Sequence, residues 1–197
     1  MNLSLTPGYY QSIGLLKDAG KSAEAQINSL MKLALDRVVF MPFGIVVDKW
    51  RWGAFSGDIA PEDFNAAWWE LRQRYQGVAA PVPRSATDFD PGAKYHVPAN
   101  MPYIRYFLAR IVQFQLHKAM CEASGHEGPL HTCSIFGSEE AGAVLSRLMK
   151  PGVSQPWQDT YEAAIGTREM DASVIIDYFT PLMDWLEEEN RGNSCGW

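Results

Sequence analysis

Three features of the sequence predict a mainly α fold carrying one long Pro/Gly-rich loop. Apolar residues recur at helical intervals in several segments, turn formers concentrate between residues 77 and 101, and no clear strand alternation competes. Ile27, Leu30, Met31, Ala34, Leu35, Val38 and Val39 fall at i, i+3, i+4 and i+7 intervals, so residues 21–41 read as a core-facing helix. Pro42 lacks an N–H and its ring clashes with the preceding turn, yet the apolar pattern resumes at Ile45, Val46, Val47 and Trp50. A kink or two abutting helices are therefore expected there. Pro61 suits a first helical position, Glu62 and Asp63 favour the positive end, and Gly77 suits the stop, which makes 61–76 a helix with Phe64, Trp68, Leu71 and Tyr75 on its inner face.

From Gly77 to Met101 the chain turns to Pro81, Pro83, Asp88, Asp90, Pro91, Gly92, Pro98 and Asn100. A stretch that long without periodicity is commonly functional. Pro102 then opens a helix to about Ser124, with Ile104, Phe107, Leu108, Ile111 and Phe114 inward and Gly125 at its end. Further helices are expected over 138–149, 156–165 and 172–190, the last bent at Pro181.

Composition narrows the class of protein. A length of 197 residues with 47% hydrophobic and 20% charged content fits one soluble domain with a packed core. The formal charge of −6 and the lack of any Lys/Arg run argue against a nucleic-acid surface, because phosphate binding needs clustered cations. No apolar run approaches the ~18 residues of a membrane span, and the opening Met-Asn-Leu-Ser-Leu-Thr-Pro-Gly lacks the charged start and apolar stretch of a signal peptide. Asn2-Leu3-Ser4 is a weak glycosylation sequon. Cys121 and Cys133 stand twelve apart and could close a disulfide or remain two buried thiols, while Cys195 is left over near the C-terminus. A closed loop of that size would contribute roughly 3 kcal/mol and imply an oxidising compartment.

Two segments concentrate chemistry. His126-Glu127-Gly128-Pro129-Leu130-His131 imitates a zinc-protease motif, but its histidines are five apart rather than four, and Gly128-Pro129 prevents the helix that would align them. Adding His117, Cys121 and Cys133 assembles a conceivable zinc cluster that no C-x-x-C or H-x-x-x-H pair supports. The second segment places Lys94, His96, Tyr103, Arg105 and Tyr106 at a loop-to-helix junction. A fixed Lys with a Tyr hydroxyl can hold a carboxylate, and His and Tyr can donate to a developing oxyanion. Solvated polar residues and packed tyrosines at a helix start are the alternative, and spacing leaves both open.

The run from Gly92 to His117, G-A-K-Y-H-V-P-A-N-M-P-Y-I-R-Y-F-L-A-R-I-V-Q-F-Q-L-H, closely resembles the angiotensin-converting enzyme family. Ser12-Ile13-Gly14-Leu15-Leu16, Pro42-Phe43-Gly44, Val47 to Trp52, Trp68-Trp69, Tyr75-Gln76-Gly77, Pro81 to Arg84, Gly128 to His131 and the ending to Trp197 match in the same order. The resemblance implies the C-terminal part of a zincin-type helical peptidase domain over residues 1–197, from a mostly extracellular family of zinc peptidyl-dipeptidases that remove dipeptides from the C-terminus of peptides.

Carried over to this sequence, the resemblance implies that Lys94 and Tyr103 bind the free C-terminal carboxylate of a peptide substrate. His96 would hydrogen-bond the substrate backbone near the scissile bond, Tyr106 would stabilise the oxyanion, and Phe40 would line a subsite. Arg105 would hold one chloride, and Trp69 and Arg72 would belong to another. Cys121 and Cys133 fall where the family has a disulfide. Three departures accompany it. Arg110 stands four residues after Tyr106, where the family often has a pocket aromatic, Cys195 has no assigned role, and the H-E-x-x-H helix with its downstream Glu does not occur among the 197 residues. The expectation is a domain portion that has no peptidase activity and no zinc of its own, exposes apolar surface, and needs an N-terminal part to complete it. A catalytically dead homologue binding peptide or protein is the alternative, and an unrelated helical domain is made remote by so many colinear matches.

Overall fold

The computed structural model describes residues 7–17 and 22–194, so the Asn2 sequon and Cys195 lie outside the described residues. Its helices are α1 Pro7–Ser12, α2 Ala23–Arg37, α3 Phe40–Ser56, α4 Phe64–Gln76, α5 Ile104–Ala123, α6 Glu139–Met149, α7 Trp157–Ile165 and α8 Ser173–Glu189, with short 3₁₀ turns between some of them. No strand occurs among the described residues, so the mainly α expectation is met. The chain divides into two compact units, one comprising Leu33–Arg110 and the other the segments up to Lys32 and from Ile111 onward.

In the Leu33–Arg110 unit, the expected break at Pro42 takes the form of two abutting helices. Helix α2 ends at Arg37 and α3 starts at Phe40, which puts Pro42 in the first turn of α3, where a missing N–H leaves no helical bond unmade. The middle of α3 is buried, and Val46, Val47 and Trp50 form a core with Trp68 of α4 and Tyr103. The Trp50 indole donates to the Phe64 carbonyl at 2.8 Å and meets the Trp68 ring edge-on at 6.3 Å. Gly53 permits a close approach here, since a Cβ would fall 2.6 Å from the Ile59 side chain. Helix α4 begins after a turn at Pro61–Asp63 and stops at Gly77, whose φ of 64° is left-handed and whose N–H caps the Arg72 and Gln73 carbonyls.

Two charged residues lie inside this unit. Asp48 and Arg51, 1% and 5% exposed, pair at 2.8 Å one turn apart on α3. The other Asp48 oxygen accepts the backbone N–H of Tyr103 at 2.8 Å and that of Ile104, so the start of α5 receives its acceptor from a different helix. Arg51 also donates to the Asn100 side chain at 3.2 Å, and Asn100 takes a left-handed φ of 50°. The loop ahead of α5 is thereby fixed by a buried ion pair on α3.

The second unit is organised differently. Phe114 of α5 packs against Tyr178 and Phe179 of α8 at 5.0 and 5.7 Å between ring centroids. Gln115 is buried and hydrogen-bonded through both its oxygen and its nitrogen: it accepts from the Tyr161 hydroxyl at 2.7 Å and the Asp171 N–H at 3.0 Å, and donates to the Glu169 carbonyl at 3.2 Å. Met120, Ala141 and Val144 form another apolar cluster with Ile165 against it. Ser138 caps α6 by accepting the Ala141 N–H, Gly166 ends α7, and Pro181 sits inside α8 with no N–H to offer the preceding turn. Cys121 and Cys133 are joined as a disulfide with an S–S distance of 2.06 Å and Cα atoms 6.1 Å apart.

Several residues expected inward are not covered. Leu30 is buried, but Leu35, Val38 and Val39 of the same stripe are exposed, as is Leu108 on α5. Periodicity identifies the apolar side of a helix; coverage depends on what lies opposite, and within these residues nothing covers that part.

Candidate functional site

The loop leading into α5 is closed by its own backbone. Val97 N–H bonds the Lys94 carbonyl at 2.8 Å, Met101 N–H the His96 carbonyl at 2.9 Å, and Tyr106 N–H the Tyr103 carbonyl at 3.0 Å. These turns bring together four residues picked out in the sequence, Lys94, His96, Tyr103 and Tyr106. The His96 ring stands edge-on to Tyr103 at 4.8 Å and to Tyr106 at 5.4 Å, and its Nε2 is 3.1 Å from the Tyr106 hydroxyl. His96 Nδ1 is buried without a hydrogen-bond partner. Lys94 places its ammonium 5.0 Å over the Tyr103 ring and 5.7 Å over Phe43, and Phe40 packs 5.9 Å from Tyr103. Tyr103 is buried at the centre, whereas Tyr106 is 40% exposed.

This arrangement has definite chemical capacity. A lysine resting on aromatic faces is held in place by cation–π attraction while its N–H donors stay available for a carboxylate. No ion pair to Lys94 occurs among the described residues. The partly exposed Tyr106 phenol, with an imidazole on its oxygen, can donate to a carbonyl oxygen that gains charge. The orphaned His96 nitrogen is the kind of buried polar atom that a ligand backbone can satisfy.

The residues expected to hold chloride fall in two groups, Arg105 alone and Trp69 with Arg72. Arg72 lies over the rings of Trp69, Phe43 and Trp68 at 5.3, 5.7 and 5.8 Å, and its Nε is buried without a partner, which fits an anion contact. Burial pushes the Arg72 guanidinium below its ordinary pKa. The Trp69 indole N–H is donated to Asp90 at 2.7 Å. Asn65 and Arg84 contact the same carboxylate oxygen at 3.2 and 2.8 Å. The Trp69 bond, ahead of those from Asn65 and Arg84, holds the Asp90 carboxyl below the usual carboxylate range. Arg105 is exposed on the first turn of α5, and none of the contacts joining Arg72, Trp69 and Asp90 includes it.

A resident zinc ion does not fit these residues. His117, Cys121 and Cys133 bring potential ligand atoms within 4.8 Å of one another, the one such group among the described residues, but the two sulfurs are bonded to each other. A disulfide offers no thiolate. His117 Nε2 lies 3.1 Å from the Leu130 carbonyl, and burial lowers its pKa. In the decoy segment, His126 bonds the Pro129 carbonyl at 3.3 Å, His131 bonds Gln26 at 3.0 Å, and Gly128 has a φ of 122°, so no helix aligns the two imidazoles.

Sequence reasoning missed Asp48, Arg51 and Asn100, which position the loop, and the part of Asp90. Asp48 and Arg51 did carry a signal: two opposite charges three apart in an otherwise apolar helix are paired or near the surface. Nothing local indicated that the acceptor would cap a helix 55 residues further on.

Helices and the loop between them thus gather a lysine, two phenols and an imidazole on one aromatic group. The sequence profile of the angiotensin-converting enzyme family matches residues 1–197, and the chain belongs to that family. It is 52% identical over 194 residues to the angiotensin-converting enzyme of Oryctolagus cuniculus and 51% identical to that of Mesocricetus auratus, in each case covering 98% of this chain and 15% of the relative. To the angiotensin-converting enzyme of Theromyzon tessulatum it is 48% identical over 183 residues, covering 93% of this chain and 30% of the relative. The chain therefore spans less than a third of the length of these relatives. Family membership relates it to the peptidases, a class of hydrolases, and among the described residues no helix is long and apolar enough to cross a membrane.

Proposed function

We propose that this chain is the C-terminal part of a zinc peptidyl-dipeptidase domain and supplies the contacts that hold a peptide by its free C-terminus. The convergence of Lys94, Tyr103, His96 and Tyr106 on one aromatic group carries this reading. Lys94 and Tyr103 bind the terminal carboxylate, which restricts cleavage to that end. His96 engages the peptide backbone, Tyr106 donates to the oxyanion of the tetrahedral intermediate, and Phe40 lines a subsite. Arg72 and Arg105 each contribute to a chloride contact; Trp69 supports the first indirectly, by orienting Asp90. The family's zinc, which activates the attacking water, belongs to ligands outside these residues, so the chain alone releases no dipeptide. The Cys121–Cys133 disulfide suits an extracellular setting.

Dipeptide release from an N-blocked tripeptide, with zinc and chloride present, tests this reading. The chain alone is expected to be inactive, and the chain joined to a zinc-bearing N-terminal portion from a family relative is expected to be active. In the joined protein, Tyr106→Phe should lower kcat by about 10²–10³ with little change in KM, the scale of losing one oxyanion donor. Lys94→Ala should instead raise KM. Zinc-dependent cleavage by the 197 residues alone would overturn the proposed division of labour. A second reading, a binding module without catalysis, draws on the same cluster standing where, among the described residues, the one His/Cys group has both sulfurs bonded to each other. Tight peptide binding, with no activity after joining, selects that one.

A further inference from the structure

Helix α5 carries His117 and Cys121 four residues apart, which places both on one side of the helix. Cys133 reaches the same point from the 3₁₀ turn at Leu130–Thr132, and the three potential ligand atoms lie within 4.8 Å of one another. One zinc ion holds its donors at such a spacing: bonds of about 2.3 Å to sulfur and about 2.0 Å to nitrogen put tetrahedral donors about 3.5–3.8 Å apart. His117 Nδ1 stands 3.7 Å from the Cys121 sulfur. Its Nε2, 3.4 Å from the same sulfur, also faces the Leu130 carbonyl at 3.1 Å. A carbonyl only accepts, so Nε2 carries the ring proton and Nδ1 keeps its lone pair. That is the tautomer of a metal-ligating histidine, whose other nitrogen donates to a backbone carbonyl. The Leu130 carbonyl also accepts the Cys133 N–H at 3.3 Å, so one acceptor orients two of the three residues.

While the two sulfurs are bonded to each other, this group offers no thiolate. We propose that opening the Cys121–Cys133 disulfide turns the group into a zinc site, in which both thiolates and His117 Nδ1 hold the ion and zinc takes over closure of the loop after α5. The reductant is a dithiol: its two S–H groups become a disulfide while the Cys121–Cys133 bond breaks, and the two hydrogens pass to the cysteine sulfurs. Zinc then displaces both thiol protons to solvent as it binds. A divalent ion with two thiolates and a neutral imidazole carries no net charge. The balance matters because Cys121, Cys133 and His117 are 1%, 4% and 5% exposed, and an uncompensated charge there would lose its hydration. It also selects zinc over a cuprous ion, which two thiolates would leave with a net negative charge. Three protein donors leave the fourth position to a water molecule or an added thiol. The segment from Cys121 to Cys133 is thereby closed by sulfur in an oxidising setting and by zinc in a reducing one.

The test adds zinc to the full chain after reduction by a phosphine, which is then removed, and reads metal uptake with a colorimetric chelator beside thermal unfolding. The reduced chain should take up a single zinc ion and unfold at a higher temperature with zinc than without it, whereas the oxidised chain should take up none and show no shift. If reduction alone unfolds the chain, zinc should restore its near-ultraviolet circular dichroism. Cadmium, as a spectroscopic stand-in, should give a thiolate-to-metal charge-transfer band that Cys133→Ser diminishes. His117→Gln should weaken zinc binding by more than about tenfold, and Cys195→Ser should leave it unchanged. Where His117→Gln fails to fold, the zinc-dependent shift of the unmodified reduced chain decides. Uptake that raises no unfolding temperature and restores no structure, that folded His117→Gln does not weaken, or that depends on Cys195 overturns the proposal, because the thiols would then bind zinc without the folded geometry. Absence of uptake by the reduced chain overturns it as well.

Discussion

The two units of this molecule solve the same problem, ordering irregular chain beside helices, with opposite chemistry. In Leu33–Arg110 the loop before α5 is fixed by charge: Asp48 holds the backbone of Tyr103 and Ile104, and Arg51 holds Asn100. In the other unit the segment after α5 is tied covalently by Cys121–Cys133, and the polar groups around it are neutral, Gln115 with Tyr161 and His117 with the Leu130 carbonyl. A buried ion pair gives direction, since each oxygen and N–H must meet its partner, and that is what a recognition loop needs. A disulfide restricts distance while specifying little about the side chains nearby. The Leu33–Arg110 unit is accordingly expected to be sensitive to charge, and the other unit to redox state and to histidine protonation.

Removing Asp48 should break this comparison most strongly. Asp48→Ala leaves a buried Arg51 without its carboxylate and the start of α5 without an acceptor, a loss of about 3–5 kcal/mol on the scale of a broken buried pair. Urea unfolding followed by hydrogen exchange should place the loss in Leu33–Arg110. Replacing both charges, as in Asp48→Leu with Arg51→Met, should recover part of that stability but not peptide binding, because the backbone of Tyr103 would still lack its anchor. Recovered binding in the double variant would mean that Asp48 does not position the site.

Cys121→Ala with Cys133→Ala comes next. In the chain-entropy model the closed loop contributes roughly 3 kcal/mol, and exchange should accelerate in the segments after Ile111 while Leu33–Arg110 stays protected. Equal acceleration in both units would show that they unfold together and would remove the basis for treating them separately.

Acid should divide the units more gently. Burial holds His117 and His131 below the ordinary histidine pKa, so both are neutral in the fold and take up protons more readily when unfolded. Stability in their unit is therefore present above the unfolded pKa near 6.5 and declines as pH falls through the lowered folded values. In Leu33–Arg110, Asp90 is lowered below the ordinary carboxylate value, so its contribution is lost only at pH below about 4. Hydrogen exchange at pH 7.5 and pH 5 should show the histidine-bearing unit loosening first, and His117→Gln should flatten the difference. At the alkaline end, burial raises Tyr161 and Tyr178 to about 12, so the same unit should also weaken as pH rises from about 10 towards 12.

The smallest effect is expected at Arg168, which pairs with Asp159 and Glu162 on an exposed surface. Surface pairs of this kind contribute little, and Arg168→Ala should leave both the melting temperature and peptide binding unchanged within error. A clear shift would mark that pair as part of the support for the buried Gln115 and Tyr161.

Much of the fold was legible in the sequence because its signals are local. Pro61, Gly77 and Gly125 mark helix ends through backbone geometry that a residue carries wherever it sits, and the observed boundaries fall within a few residues of those read from them. Lys94, His96, Tyr103 and Tyr106, at a loop that runs into a helix, were also singled out before any coordinates, and the structure brings them together. Exposure of Leu35, Val38 and Val39 was not legible, since periodicity shows which side of a helix is apolar and not what covers it.

By itself, then, the sequence determined the helices and the long loop, through side-chain chemistry and short-range spacing, and the family, through its long colinear resemblance. Only the tertiary structure decided that Asp48 caps α5 from α3, that the Trp69 indole serves Asp90, and that Arg110 shares an aromatic group with Lys94. These depend on which groups meet across tens of residues. Hydrogen bonds and ion pairs form only at contact distance, and nothing in the local spacing of a sequence encodes that distance.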